Sequence, residues 1–200
     1  MREANRVKYS HWHNAPVANF GDLDARLLIV GLAPGLHGAN RTGRPFTGDW
    51  AGDLLYSTLL RWGLARGVYR ENADDGLALV DTLITNAVRC VPPQNKPTPT
   101  EVATCRGFLS ATLNAMPKLE AIVALGRVSH ESILRAFAVR LASYPFAHGA
   151  KHRMSTPAGR HVALFDSYHC SRYNTSTRVL TVDMFHSVFE NVSARLAGCA

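Results

Sequence analysis

The sequence predicts an α/β protein, a three-layer α/β/α sandwich built on a central four-stranded parallel sheet. Three observations carry that prediction. Four short apolar runs each end in a glycine-rich or polar loop, each is followed by a stretch with helical spacing, and 46% of the 200 residues are hydrophobic. Strand then helix, repeated four times, sets parallel strands side by side with helices on both faces.

The elements follow in chain order. Residues 26–31 (RLLIVG) read as a buried strand entering the glycine-rich loop 31–48, and residues 53–64 (DLLYSTLLRWGL) have the apolar spacing of a helix. Residues 82–88 (TLITNAV) are a second strand, rich in β-branched side chains. A proline-rich loop follows, then a helix over residues 100–113 with Thr98 or Thr100 as its cap. Residues 121–125 (AIVAL) form a third strand ending at Gly126, with a helix from Ser129 to about Arg140. Residues 161–167 (HVALFDS) are the fourth strand, and a polar loop leads to a closing helix over 181–196. With no repeat, linker or charge run, residues 1–200 read as a single domain.

Composition narrows the function. Charged residues are 18% of the chain and no long run of like charge occurs, which excludes a disordered chain. The 22 Lys+Arg against 15 Asp+Glu leave a net charge of +7. It is carried mostly by arginine, since Lys8, Lys96, Lys118 and Lys151 are the only lysines, and a guanidinium fork suits a phosphate better than an ammonium does. A polyanionic partner is therefore expected. There is no apolar run long enough to span a membrane and no secretory or transit pattern in the first twenty residues, so a cytoplasmic protein without a membrane partner is expected. Cys90, Cys105, Cys170 and Cys199 are too few and too scattered for a disulfide scaffold.

In such sheets ligands sit beyond the carboxyl ends of the strands, and the loops there are polar, turn-forming and basic. The first loop lacks GxxxxGK[ST] and GxGxxG, which argues against a nucleotide-phosphate cradle, and no GxSxG elbow marks a serine hydrolase. His11, His13, His148 and His152 lack metal-site spacing and read as surface or capping residues. His169 differs, since it lies just past the fourth strand among Ser167, Tyr168, Ser171 and Arg172.

Four segments together resemble the uracil-DNA glycosylase superfamily, in its family 5 (type b) form. They are Gly31-Leu32-Ala33-Pro34-Gly35 continuing through His37–Arg44 to Phe46-Thr47-Gly48-Asp49; Ile84–Cys90 with Pro92–Pro97; Ala124-Leu125-Gly126; and Ser167-Tyr168-His169 through Ser171, Asn174 and Thr175. The match spans roughly residues 16 to 190. It implies a DNA repair enzyme that flips uracil, and other deaminated or modified bases, out of DNA and hydrolyses the N-glycosidic bond to leave an abasic site.

The resemblance also assigns residues. Phe46 supplies a stacking surface, Gly31 and Ala33 line the base site, and the Asn86 amide complements the N3–H and O4 edge of uracil. His169 donates to the base O2 as negative charge develops there. Leu32 and Ala33 stand where other branches carry water-activating polar residues, so Asp49 and Asn95 become the catalytic candidates for positioning water. Arg41, Arg44, Ser171, Arg172, Tyr173, Asn174 and Thr175 are expected to face DNA. Lys96 is the only lysine in the site loops, so a monofunctional enzyme is expected, acting as a monomer. Families 4 and 5 usually carry a four-cysteine iron–sulfur cluster. Here Cys90 and Cys105 match two of its ligands and the N-terminal pair is absent, so no metal and no cofactor is expected. The rival readings are a non-catalytic module that recognises lesions in DNA and a nucleotide hydrolase or transferase on a similar sheet.

Overall fold

The computed structural model describes residues 2–156 and 159–198. Among the described residues there are eight strands: β1 (Phe20–Gly21), β2 (Leu27–Gly31), β3 (Ala65–Arg66), β4 (Ala78–Leu79), β5 (Thr82–Asn86), β6 (Ala121–Leu125), β7 (Lys151–Ser155) and β8 (His161–Ser167). Seven helices accompany them: α1 (Arg2–Lys8), α2 (Ala39–Thr42), α3 (Trp50–Arg61), α4 (Pro99–Asn114), α5 (Arg127–Ala136), α6 (Arg172–Ser176) and α7 (Val182–Leu196). The main sheet has six strands in the order β1-β5-β2-β6-β8-β7, and β3 pairs with β4 in a small ribbon.

The four expected strands, β5, β2, β6 and β8, are its parallel centre. Every residue of β2, β5 and β6 is buried, which is why each reads as a continuous apolar run. The strand period of two decides which face each side chain joins. Leu27, Ile29, Ile84, Val123 and Phe165 meet Leu55 and Leu59 of α3 and Phe185, Val188 and Phe189 of α7. Leu28, Val30, Leu83, Ile122 and Leu164 meet Leu109 and Leu113 of α4 and Ile133 and Leu134 of α5. Each sheet face is thus closed by two helices.

The expectation of four strands is corrected to six by antiparallel edges on both sides. β1 pairs with β5 through two residues, and β7 pairs with β8 from Lys151↔Phe165 to Ser155↔His161. β7 has one fully buried residue, Met154, so its sequence carries no apolar run. The third long helix is shorter than expected, ending at Ala136, and Ala138 adopts φ 57° two residues on. Caps fix the other helix starts. Thr98 and Glu101 form a reciprocal capping box at α4 with Pro99 in the first turn, and Thr181 accepts the Met184 N–H at α7.

Candidate active site

A cleft of about 530 Å³ opens at the carboxyl ends of the parallel strands, lined by loops after β2, β5, β6 and β8. At its floor lies a recess walled by Ala33, Gly35, Ala39, Phe46, Asp49, Ala51, Asn86 and His169. The alanines and Gly35 keep side-chain bulk out of it, and the remaining residues bring one flat ring, one amide, one carboxyl and one imidazole.

Neighbouring strands set the floor. Gly31 and Asn86, the last residues of β2 and β5, are partners in register. A methyl group on Gly31 would overlap both the Asn86 Oδ1 and the Phe46 ring, so only glycine lets those side chains share the space. Phe46 is buried with φ 52°, a backbone conformation that a bulky residue rarely adopts. The Tyr69 hydroxyl helps to hold it, donating to the Phe46 carbonyl at 3.3 Å. The Phe46 and His169 rings are nearly parallel, at 26°, with centroids 6.0 Å apart.

Two polar atoms in the recess are buried without a partner in the chain, Asn86 Oδ1 and His169 Nδ1. Buried polar atoms are normally satisfied, and these two belong to residues that line one recess, where a bound group could satisfy both. Burial lowers the His169 pKa to about 4, so its imidazole is neutral at ordinary pH. Its loop is held from two sides: the Asn174 amide donates to the His169 carbonyl at 2.8 Å, and the Tyr168 N–H donates to His148 Nδ1 at 3.2 Å.

Asp49 is both a helix cap and a site residue. Its Oδ1 accepts the Gly52 N–H at 3.3 Å, and the residue lines both cleft and recess. Burial pushes its carboxyl above the usual carboxylate range, against the opposing pull of the Gly52 and Ala51 N–H groups. Asn95, with φ 57° in the turn after β5, reaches the same cleft, whereas its neighbour Lys96 does not line it.

The loop after β8 forms the rim. Ser171, Arg172 and Tyr173 line the cleft, and Tyr173 is 74% exposed. Asn174 spends its amide on His169, and the Thr175 hydroxyl accepts the Trp50 Nε1–H at 2.9 Å, so both brace the loop. Arg41 donates from Nε to the His37 carbonyl at 2.8 Å and lies against Gly48, outside the cleft lining.

Arg44 is a correction. Its side chain is 5% exposed and forks onto the covered carboxylate of Asp75 at 2.8 and 2.7 Å, so it has no face to offer a phosphate. Two rim residues escaped sequence reasoning. Trp50, 51% exposed, lies at the cleft mouth with the Arg172 guanidinium 5.7 Å above its ring. Arg127 follows Gly126, whose φ of 95° turns the chain from β6 into α5. The signal for Arg127 was its position at a strand end, whereas nothing local marked Trp50, which lies between the glycine-rich loop and the helix expected from residue 53.

Among the described residues, Cys90, Cys105 and Cys170 form no disulfide. Cys170 is buried under α3 with its thiol 3.5 Å from the Ala51 carbonyl, while Cys90 and Cys105 belong to the loop after β5 and to α4, which packs on the opposite sheet face. Cys199 lies outside the described residues. Two thiols at matching positions do not fit a four-thiolate cluster. Among the described residues, His130, His152 and Asp166 are the one group with metal-ligand chemistry in reach of a common point. They are hydrogen-bonded to each other, His130 Nδ1 and His152 Nε2 lying 2.7 and 3.1 Å from the Asp166 carboxyl oxygens, and His130 Nε2 reaches the Tyr144 carbonyl at 2.9 Å. This buried network ties α5 and β7 to β8 beneath the cleft.

A flat ring, an amide and an imidazole around one recess, with Arg127 and Arg172 lining the adjoining cleft, combine stacking, polar and cationic groups of the class suited to a planar nucleobase carried on a phosphate backbone. Comparison with known proteins places the chain within that class. Residues 18–193 match the model of the uracil DNA glycosylase superfamily, and the chain belongs to that family. It is 48% identical over 183 residues to the type-5 uracil-DNA glycosylase of Thermus thermophilus, covering 92% of this chain and 81% of that protein. It is 40% identical over 191 residues to the type-5 enzyme of Pyrobaculum aerophilum, covering 96% and 80%. The type-5 enzyme of Mycobacterium tuberculosis is 43% identical over 185 residues, covering 92% and 67%.

Proposed function

We propose that this chain is a monofunctional uracil-DNA glycosylase, and the pair of unpartnered polar atoms on Asn86 and His169 beside the Phe46 ring carries the reading. A base swung out of the duplex enters the cleft and lies against Phe46. The Asn86 Oδ1 accepts from N3–H while its amide nitrogen donates to O4. That complementarity makes uracil the preferred base among the deaminated and modified bases the recess admits.

As the glycosidic bond breaks, negative charge gathers on the base O2 and the sugar acquires oxocarbenium character. A neutral His169 donates an N–H to that oxygen, a contribution of about 3 kcal/mol by analogy with single oxyanion donors. Asp49 and Asn95 hold the attacking water on the cleft side. The Asp49 carboxyl, raised by burial, is the better proton acceptor for it. Arg172 and Tyr173 at the rim fill the space the base leaves, and Ser171 lies against the backbone.

The test is an incubation with a uracil-containing oligonucleotide followed by alkali. Strand breaks confined to the uracil position are expected. Binding that leaves every strand intact would establish the non-catalytic lesion reader instead.

No step here passes through a metal centre, and the protein is expected to excise uracil without one. Stoichiometric iron with a cluster absorption band in anaerobically purified protein would overturn that. A monomer in the cytoplasm completes the proposal. Exposed large apolar side chains such as Leu23, Val68 and Phe108 are spread over separate elements, and the Cys105 and Cys170 thiols suit a reducing compartment.

A further inference from the structure

A second groove, of about 490 Å³, runs along the opposite end of the sheet order from β1, between the edge strand β7 and the last turn of α7. It is lined by Lys151, Arg153, His161, Val162, Ala163 and Arg195, with no acidic side chain among them. Among the described residues, none of its three permanent cations is paired with a carboxylate. In a chain with 15 acidic residues, that separation leaves an uncompensated positive stripe.

The strand period gives the stripe its spacing. Lys151, Arg153 and Ser155 are exposed, whereas Met154 is buried and His152 turns toward Asp166. Alternate residues of a strand stand about 6.7 Å apart, close to the repeat of phosphates along an extended nucleotide strand. The partner strand supplies the floor in register, with Phe165 under Lys151, Ala163 beside Arg153 and His161 beside Ser155. The Lys151 ammonium lies 5.6 Å from the Phe165 ring centroid, and Arg195 closes the groove from α7.

We propose that this groove is a second DNA-backbone site, which takes phosphodiesters of undamaged DNA while the cleft at the strand ends takes the lesion. Cationic side chains on an edge strand also guard it against pairing with another chain. That role requires charges on β7 alone, yet Arg195 and His161 come from other elements and converge on the same space.

The test is the salt dependence of affinity for an undamaged duplex of about 30 base pairs, measured by fluorescence anisotropy for the wild type and for Lys151→Gln/Arg153→Gln. Loss of two phosphate contacts makes the slope of log K against log salt shallower by about 1.8. A control, Arg66→Gln/Arg140→Gln, removes two exposed charges elsewhere and is expected to leave the slope as it was. Uracil release from a short oligonucleotide that fills only the cleft is expected to be unchanged in both variants.

An unchanged slope in the Lys151/Arg153 variant overturns the proposal, as does an equal change in the control. Self-association of the variant at unchanged DNA affinity overturns it in favour of edge protection. Because binding is read on undamaged DNA, failure of uracil release in the wild type would sink the glycosylase reading without touching this one.

Discussion

Replacing His169 with alanine is expected to lower single-turnover uracil release by about 10²–10³-fold, while affinity for uracil-containing DNA changes little. The imidazole meets the leaving base only as charge develops on it, so its loss falls on the chemical step. The pH profile sharpens the test. Burial brings the His169 pKa down to about 4, so the ring is neutral throughout the range where an ordinary histidine titrates. Release is therefore expected to show no His169 inflection between pH 5 and 8. A rate that falls as pH rises through about 6.5 would mean that an imidazolium does the work. Equal loss of binding and release in His169→Ala would mean that the residue holds the DNA or the loop. A second variant, His169→Asn, keeps a donor in the recess and is expected to recover part of the rate.

The parallel centre of the sheet was legible because a strand buried on both faces has to be apolar throughout, as AIVAL of β6 is. β7 was illegible for the opposite reason: KHRMS turns one residue fully inward, and its outer face is the cationic stripe. Asn86 stood out as an amide at the end of an apolar strand, whereas the roles of His169 and Asp49 rested on the resemblance to the glycosylase family, because a histidine in a polar loop and a carboxylate at a helix cap both have ordinary structural uses. Arg44 could not be read correctly. An arginine in a glycine-rich loop looks like a phosphate ligand, and nothing local announces a carboxylate 31 residues away. Net charge misleads in the same way, because it counts a buried, neutralised guanidinium and an exposed one alike.

That buried pair yields the largest expected effect on stability. Arg44→Met or Asp75→Asn is expected to destabilise the fold by about 3–5 kcal/mol, read by urea denaturation, because each leaves the other member's charge buried without its counter-charge. The Arg44 guanidinium makes more than an ion pair. It donates to Thr47 Oγ1 at 2.7 Å and to the Ala73 carbonyl at 3.2 Å, and it lies 5.1 to 5.9 Å from the ring centroids of Phe20, Tyr56 and Tyr69. Asp75 also accepts the Arg70 and Leu77 N–H groups at 2.9 and 3.0 Å. The cluster thereby clamps loop 69–77 onto the turn that holds Phe46, so Arg44→Met is expected to weaken uracil release as well as the fold. The double variant Arg44→Met/Asp75→Leu, which buries no stranded charge, is expected to cost less than the sum of the single changes. Acid offers an independent check. The Arg44 hydrogen bonds hold the Asp75 carboxyl well below the ordinary aspartate value of 3.8, so folding favours the ionised form. Its contribution is present above that value and is lost as pH falls below it toward the folded-state pKa. His169 acts in a different window, since its lowered pKa makes protonation unfavourable to the fold between about 6.5 and 4. Wild-type stability should therefore decline in two steps on acidification. Asp75→Asn is expected to remove the lower step and keep the upper one, whereas His169→Ala keeps the lower step and shrinks the upper one, to which the burial-lowered His148 and His186 also contribute.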